Sequence, residues 1–303
     1  MAGIPAIFYE HPKEQKRSPM PILAILLLFI AACLHALWNL LLKRSREKYI
    51  TSWWTTVIGG LLFLPVLLFT GLPAREVWPA LAASLILETV YFILLSSAYA
   101  DYDFSLIYPM ARGTAPAFLA IWSITFLREQ PTLGGSIGLG MIVIGLLVIG
   151  SSALKLDGGP RPHLRGILTA LAVALVISAY TAVDGSAVKH TSALAYATTI
   201  FVFLPFLTTP LSISRYGWPR LREAWTRERL ILVVVGVLGV LAYLCALIAY
   251  KIAPIGYAGA IREMSVVIGA LAGWRWLGEK MGIQRVIGAV IIFGGILTIA
   301  LFG

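Results

Sequence analysis

The chain has 303 residues, 59% of them apolar and 13% charged, with a net charge of +10. Its mean hydropathy is +0.87. Soluble domains average about 45–50% apolar and about 25% charged residues, so this composition excludes a soluble globular domain, a disordered chain and a nucleic-acid-binding module.

A bilayer core of about 30 Å takes about 20 apolar residues to cross as a helix. Residues 1–20 are polar and read as a flexible tail with Lys13, Lys16 and Arg17. Ten apolar runs follow, at 21–42, 51–70, 77–99, 104–126, 133–152, 164–188, 194–211, 230–250, 255–276 and 282–302. The first is too long for the core of a signal peptide, and no small-residue cleavage pattern follows His35, Trp38 and Asn39. Most connections are short, and the two longest are 153–163 and 212–229. Trp53, Trp54, Trp78, Trp274 and Trp276 stand at run ends, where an interfacial aromatic belt belongs. The expected fold is an all-α polytopic membrane protein with ten transmembrane helices.

The two halves resemble each other. Arg112 aligns with Arg262 at an offset of 150, together with Ala120 and Ala270, Leu127 and Leu277, Glu129 and Glu279, Gly138 and Gly288, and Gly145 and Gly295. Asn39 pairs with Asp184 in the first helices of the halves. Five helices per half is an odd number, so the second half must insert the other way up. The chain then divides into the tail, a first five-helix repeat at 21–152, a linker at 153–163 and a second five-helix repeat at 164–303. Inverted repeats with a site at their interface are a secondary-transporter architecture.

Ionisable groups in the middle of membrane helices are costly and are candidate functional groups. Glu88, Arg112, Asp184, Arg262 and Glu263 qualify. Arg112 and Arg262 each lie about 10–12 Å along their helices, at 1.5 Å per residue. A guanidinium forks onto carboxylate, phosphate or phosphonate, so the pair reads as an anion site. The alternative is that each arginine pairs with a carboxylate, Glu263 or Glu88. Glu88 shares a helical face with Tyr91 and Phe92, which suits an amine or a ring, or simple packing. Trp38, Asn39, Tyr99, Tyr108 and Tyr243 complete the substrate-binding candidates. Asp184, Glu263 and His35 are the candidates for coupling, with protons as the coupling ion; hydrogen bonding between helices is the blander role for each.

Pro109 and Pro116 each remove a backbone donor, so a kink is expected in the fourth helix. Glu129 and Glu279 end helices beside Arg128 and Lys280, a pattern expected of loop ion pairs. Cys33 and Cys245 lie in apolar runs and allow no disulfide framework. No metal-ligand spacing, phosphate-binding glycine loop or hydrolase motif is present. No cofactor, metal, nucleic-acid partner or enzymatic activity is therefore expected.

Three stretches carry a family resemblance: His35-Ala36-Leu37-Trp38-Asn39 followed by Lys43; Ala98-Tyr99 with residues 103–113 through Tyr108-Pro109 to Arg112-Gly113; and Ile261-Arg262-Glu263-Met264-Ser265 ending at Leu277-Gly278-Glu279. Together they resemble the drug/metabolite transporter superfamily in its ten-helix EamA-type branch. The resemblance implies a bundle of two inverted five-helix repeats that moves small metabolites, often outward, by alternating access, with amino acids and related polar compounds as typical cargo. It also implies a multi-pass protein of a bacterial inner membrane.

Loops after helices 1, 5, 7 and 9 hold most of the Lys and Arg, including Lys43, Arg44, Arg46, Lys48, Arg161, Arg165, Arg215, Arg220, Arg222, Arg227 and Arg229. The positive-inside rule places that side in the cytoplasm and both termini outside. The family resemblance favours termini inside, so the two arguments conflict. The reading is a secondary transporter, with export as the expected direction, for a small polar metabolite such as an amino acid or another carboxylate- or phosphonate-bearing compound. A flippase for lipid or lipid-linked substrates on the same fold is the first alternative, and an intramembrane channel or enzyme the second.

Overall fold

The computed structural model describes residues 20–102, 104–155, 164–277 and 282–303; the side chains of Tyr99 and Tyr108, both candidates above, lie outside the described residues. Each apolar run is helical, because in a bilayer only a helix satisfies every backbone N–H and C=O within its own segment. The helices are α1 (Ile22–Arg44), α2 (Lys48–Thr70), α3 (Trp78–Asp101), α4 (Phe104–Thr125), α5 (Leu133–Lys155), α6 (Leu164–His190), α7 (Ala193–Tyr216), α8 (Trp218–Ile252), α9 (Ile255–Arg262), α10 (Met264–Leu277) and α11 (Ile283–Phe302), with a 3-10 turn at Arg75–Val77 before α3. Seven described helices are long and apolar enough to cross a membrane: α1, α2, α3, α6, α7, α8 and α11. Side chains such as Leu68, Phe69, Leu133 and Val290 point outward, as a lipid-facing surface requires.

Two features depart from the expected spans. The ninth run is two helices: α9 stops at Arg262, and Glu263 (φ −70°, ψ −2°) separates it from α10. α4, with its two prolines, is assigned as one helix from Phe104 to Thr125. The second departure is at the start of α8. Residues 218–227, expected as connection, form a helical stretch that bends into the membrane segment at Glu228 (φ −127°, ψ 19°). Gly217, at φ +73°, makes the sharp entry that a residue with a Cβ would resist. Trp218, Leu221 and Trp225 recur at i, i+3 and i+7; Leu221 turns inward, Trp225 is half-buried and Trp218 stays exposed. Leu221 is fully buried, its carbonyl accepts from Trp54 Nε1 at 3.1 Å, and the Trp54 and Trp225 rings lie 4.8 Å apart. On the other face Arg220 Nε meets Glu47 Oε1 at 2.8 Å.

Helix packing follows the sequence repeat. Aligning α1 with α6, α2 with α7, α3 with α8, α4 with α9 and α10, and α5 with α11 turns the observed neighbours into matching pairs. The α3–α6 contact corresponds to α1–α8, and α4–α6 to α1 against α9 and α10. The α2–α7 and α5–α11 contacts correspond to themselves. The α5–α11 seam shows this at atomic scale. A Cβ on Gly138 would stand 2.7 Å from the Gly295 carbonyl, and one on Gly145 would stand 2.7 Å from the Gly288 carbonyl. The reverse approaches are 2.6 Å each. Ile142 and Ile292 flank one another's glycines in the same reciprocal way. Position 138 meets 295 while 145 meets 288, so α5 and α11 run antiparallel along glycines that let the backbones touch.

Candidate functional site

The polar groups of the bundle converge in two neighbouring clusters on α1, α3, α4, α6, α7, α8 and α9. The first is built on Glu263. Because the helix breaks there, Arg262 at the end of α9 and Glu263 both project inside the bundle. Arg112 Nη1, from α4, donates to Glu263 Oε1 at 3.1 Å, and Arg262 Nη2 lies 3.7 Å from the same oxygen. Glu263 is 1% exposed and Arg112 6%. Both guanidiniums thus share one carboxylate oxygen. Glu263 Oε2, Arg262 Nε, Ser265 Oγ and Thr181 Oγ1 are buried with no hydrogen-bond partner among the described residues. Tyr250 lies under the Arg262 guanidinium at 5.9 Å. A cavity of about 10 Å³, room for roughly one water, is lined by Arg262, Glu263, Thr181, Ser178 and Pro116 among others.

α1 closes this cluster. Trp38 Nε1 donates to His35 Nδ1 at 3.0 Å, and Asn39 Nδ2 donates to the His35 carbonyl at 2.7 Å. His35 Nε2 contacts Arg112 Nη2.

The second cluster is centred on Asp184, in α6, which is 1% exposed. Ser84 donates to Oδ1 at 2.5 Å, Tyr196 to Oδ1 at 2.9 Å and Tyr243 to Oδ2 at 2.9 Å. These hydroxyls come from α3, α7 and α8, so one carboxylate ties three helices to α6. Glu88 stands one turn beyond Ser84 on α3, within electrostatic reach of Asp184 and Tyr243, and its Oε1 is buried without a hydrogen-bond partner among the described residues. Between the clusters the Tyr91 and Tyr180 rings lie 5.9 Å apart.

Arg112, Arg262, Glu263, His35, Trp38 and Asn39 are therefore brought together in one cluster, and Asp184, Glu88 and Tyr243 in the other. Asn39 and Asp184, aligned in sequence, play different local parts: Asn39 bonds its own helix and Asp184 binds three others. Ser84, Thr181 and Tyr196 were absent from the sequence reading. Ser84 carries a legible signal, its spacing of four before Glu88; Tyr196 carries none.

Glu129 differs from the expected pairing with Arg128. Its two oxygens accept from the backbone N–H groups of Ile255 and Gly256, at 2.6 and 3.0 Å, and Lys189 Nζ lies 3.8 Å away. It caps the N-terminus of α9, 126 positions away in sequence, where the helix dipole favours a negative charge. Glu279 lies outside the described residues.

A family model described as the EamA-like transporter family matches this chain twice, at residues 22–151 and 164–301. No curated protein matches. Among solved structures, one titled only as the crystal structure of a protein superposes with a TM-score of 0.74 over 92% of this chain and 96% of its own, at 19% sequence identity, a likeness of fold.

Proposed function

Since this chain belongs to the EamA-like transporter family and is thus a membrane transporter of the drug/metabolite transporter superfamily, we propose that it moves a small polar metabolite bearing a carboxylate or phosphonate, outward, by alternating access between two inverted halves. The reciprocal, antiparallel α5–α11 seam supports the inversion. The observation that carries the cargo is the sharing of one buried carboxylate by two buried guanidiniums. Such a group of three holds one surplus positive charge, which is costly in a membrane interior. An anionic group of the cargo balances it. The cavity is far smaller than a metabolite, so binding opens the site by parting α1, α4 and α9.

Counterflow in proteoliposomes, with radiolabelled amino acids and aminophosphonates as probes, tests this. Arg112→Lys and Arg262→Lys keep the charge but lose the planar fork. Each is expected to weaken binding by about 1.5–3 kcal/mol, roughly 10- to 150-fold, with a folded protein on gel filtration. A well-folded Arg112→Lys variant with unchanged counterflow defeats the anion site. Saturable counterflow also separates a transporter from a channel.

A further inference from the structure

The surface stretch at the start of α8 and the turn between α1 and α2 form one basic rim. Arg220 Nε meets Glu47 Oε1 at 2.8 Å, and Glu228 Oε1 accepts the Arg46 backbone N–H at 3.4 Å, so the two segments are joined at two points. Residues 44–48 and 215–229 hold eight Lys and Arg against three Glu. All three acids are engaged, Glu47 with Arg220, Glu228 with the Arg46 N–H and Glu223 with Arg227 at 2.6 Å. Arg44, Arg46, Arg222 and Arg229 are exposed, and their guanidiniums form no ion pair among the described residues. Two observations set this rim at headgroup depth. Arg229 is the last charged residue before 230–250, a run that has none and is long enough to span a bilayer core. Trp218, in the same surface stretch, is 51% exposed, and exposed tryptophan concentrates at the membrane interface. Trp218, Arg222 and Trp225 follow one another at spacings of four and three, which sets indoles and a guanidinium along one side of the helix. Arg229 follows just past the bend at Glu228, and the next residue, Leu230, is 74% exposed. Free guanidiniums therefore border directly on a lipid-facing apolar wall.

We propose that this rim is a docking surface for the headgroups of anionic phospholipids, whose acyl chains lie on the apolar wall that begins at Leu230. It rests on charge, depth and exposure and is independent of the cargo. A guanidinium takes phosphate oxygens through two parallel N–H bonds, and Arg222 and Arg229 have none of theirs committed to a carboxylate. The apolar wall selects a lipid over free phosphate, because only a lipid covers both surfaces at once. The surplus of positive charge selects an anionic headgroup over a zwitterionic one, which brings its own cation. Each arginine at such a surface strengthens the attraction about fivefold. Since the lipid binds the folded rim, occupancy also raises the stability of the fold by mass action.

The test titrates the full chain, in an uncharged detergent, with dioleoyl phosphatidylglycerol, dioleoyl phosphatidylcholine or inorganic phosphate. Native mass spectrometry counts retained lipid, and thermal unfolding reads stabilisation. Phosphatidylglycerol is expected to be retained and to raise the melting temperature. Phosphatidylcholine is retained more weakly, and inorganic phosphate at the same concentration does not stabilise. Arg222→Gln and Arg229→Gln each weaken phosphatidylglycerol retention about fivefold, and together about 25-fold. Arg75→Gln, an exposed arginine beyond the opposite end of α2, leaves retention unchanged. The substituted side chains are exposed, gel filtration checks that each variant is folded, and the comparison of the three ligands on the wild type decides the headgroup without any variant. Phosphatidylcholine held as tightly as phosphatidylglycerol, or no lipid held at all, overturns the proposal. So does equal stabilisation by inorganic phosphate, which identifies a site for a free anion. Undiminished retention in the double variant places the lipid elsewhere, and a loss in Arg75→Gln as large as in Arg229→Gln shows an effect of overall charge; either result overturns the rim as the docking surface.

Discussion

Removing the Glu129 carboxylate tests how the two halves are fastened. Its oxygens cap two backbone N–H groups at the start of α9, at 2.6 and 3.0 Å. Ile255 and Gly256 are both buried, so neither N–H finds water when the cap is lost. A hydrogen bond to a charged group contributes about 1.5–3 kcal/mol net. The Glu129 side chain is 16% exposed, which argues for the lower end, so Glu129→Ala is expected to cost about 3 kcal/mol for the two bonds together. Glu129→Gln keeps one acceptor but turns an NH₂ toward the other N–H and surrenders the charge at the helix N-terminus, for roughly half to two-thirds of that loss. Lys189→Ala removes only a cation 3.8 Å away that is 38% exposed, and costs less than about 1 kcal/mol. Thermal unfolding in detergent, followed by a thiol-reactive fluorophore on the half-buried Cys33 and Cys245, reads all three. The reasoning is refuted by Glu129→Ala melting at the wild-type temperature, or by Lys189→Ala falling as far as Glu129→Ala.

Three further outcomes are expected. Gly145→Ala and Gly295→Ala each place a methyl within 2.7 Å of a facing backbone carbonyl, and by the matched geometry both cost about 1–3 kcal/mol in the same unfolding assay; a large difference between them contradicts the reciprocity of the seam. Tyr196→Phe removes a donor from buried Asp184 and destabilises by about 1.5–3 kcal/mol, whereas Tyr250→Phe deletes a buried hydroxyl that has no partner among the described residues and is neutral or stabilising; equal effects contradict the bonding pattern. Glu47→Gln, in an exposed pair with Arg220, changes stability by less than about 1 kcal/mol, and a larger loss in high salt would show that the pair does more than decorate the surface.

Most of the helical architecture was legible because a bilayer permits so few solutions: an apolar run of sufficient length has to be a helix. The ends of α1, α2, α5 and α11 fall within a few residues of the expected spans. The break at Glu263 was not legible, since neither proline nor glycine stands there and the signal is a charged pair whose partner, Arg112, is 151 positions away. The surface helix at the start of α8 was hidden by its arginines, which lower the hydropathy of a stretch whose Trp and Leu spacing is regular. For the site, depth and charge alone selected Arg112, Arg262, Glu263, Glu88 and Asp184. What they could not supply was the grouping: Arg112 with His35, Tyr196 with Asp184 and Glu129 with a distant helix N-terminus are contacts between segments that no local spacing records.

The glycine seam between α5 and α11 also limits how this molecule can vary. Each glycine faces a carbonyl that belongs to a glycine, so a gain in bulk on one side cannot be relieved by a loss on the other, where nothing smaller exists. The seam is closed to compensating change. It holds none of the polar residues of the site, which lie on other helices. New cargo is therefore expected to be accommodated by changes on the site-bearing helices α1, α3, α4, α6, α7, α8 and α9, around a joint that stays the same.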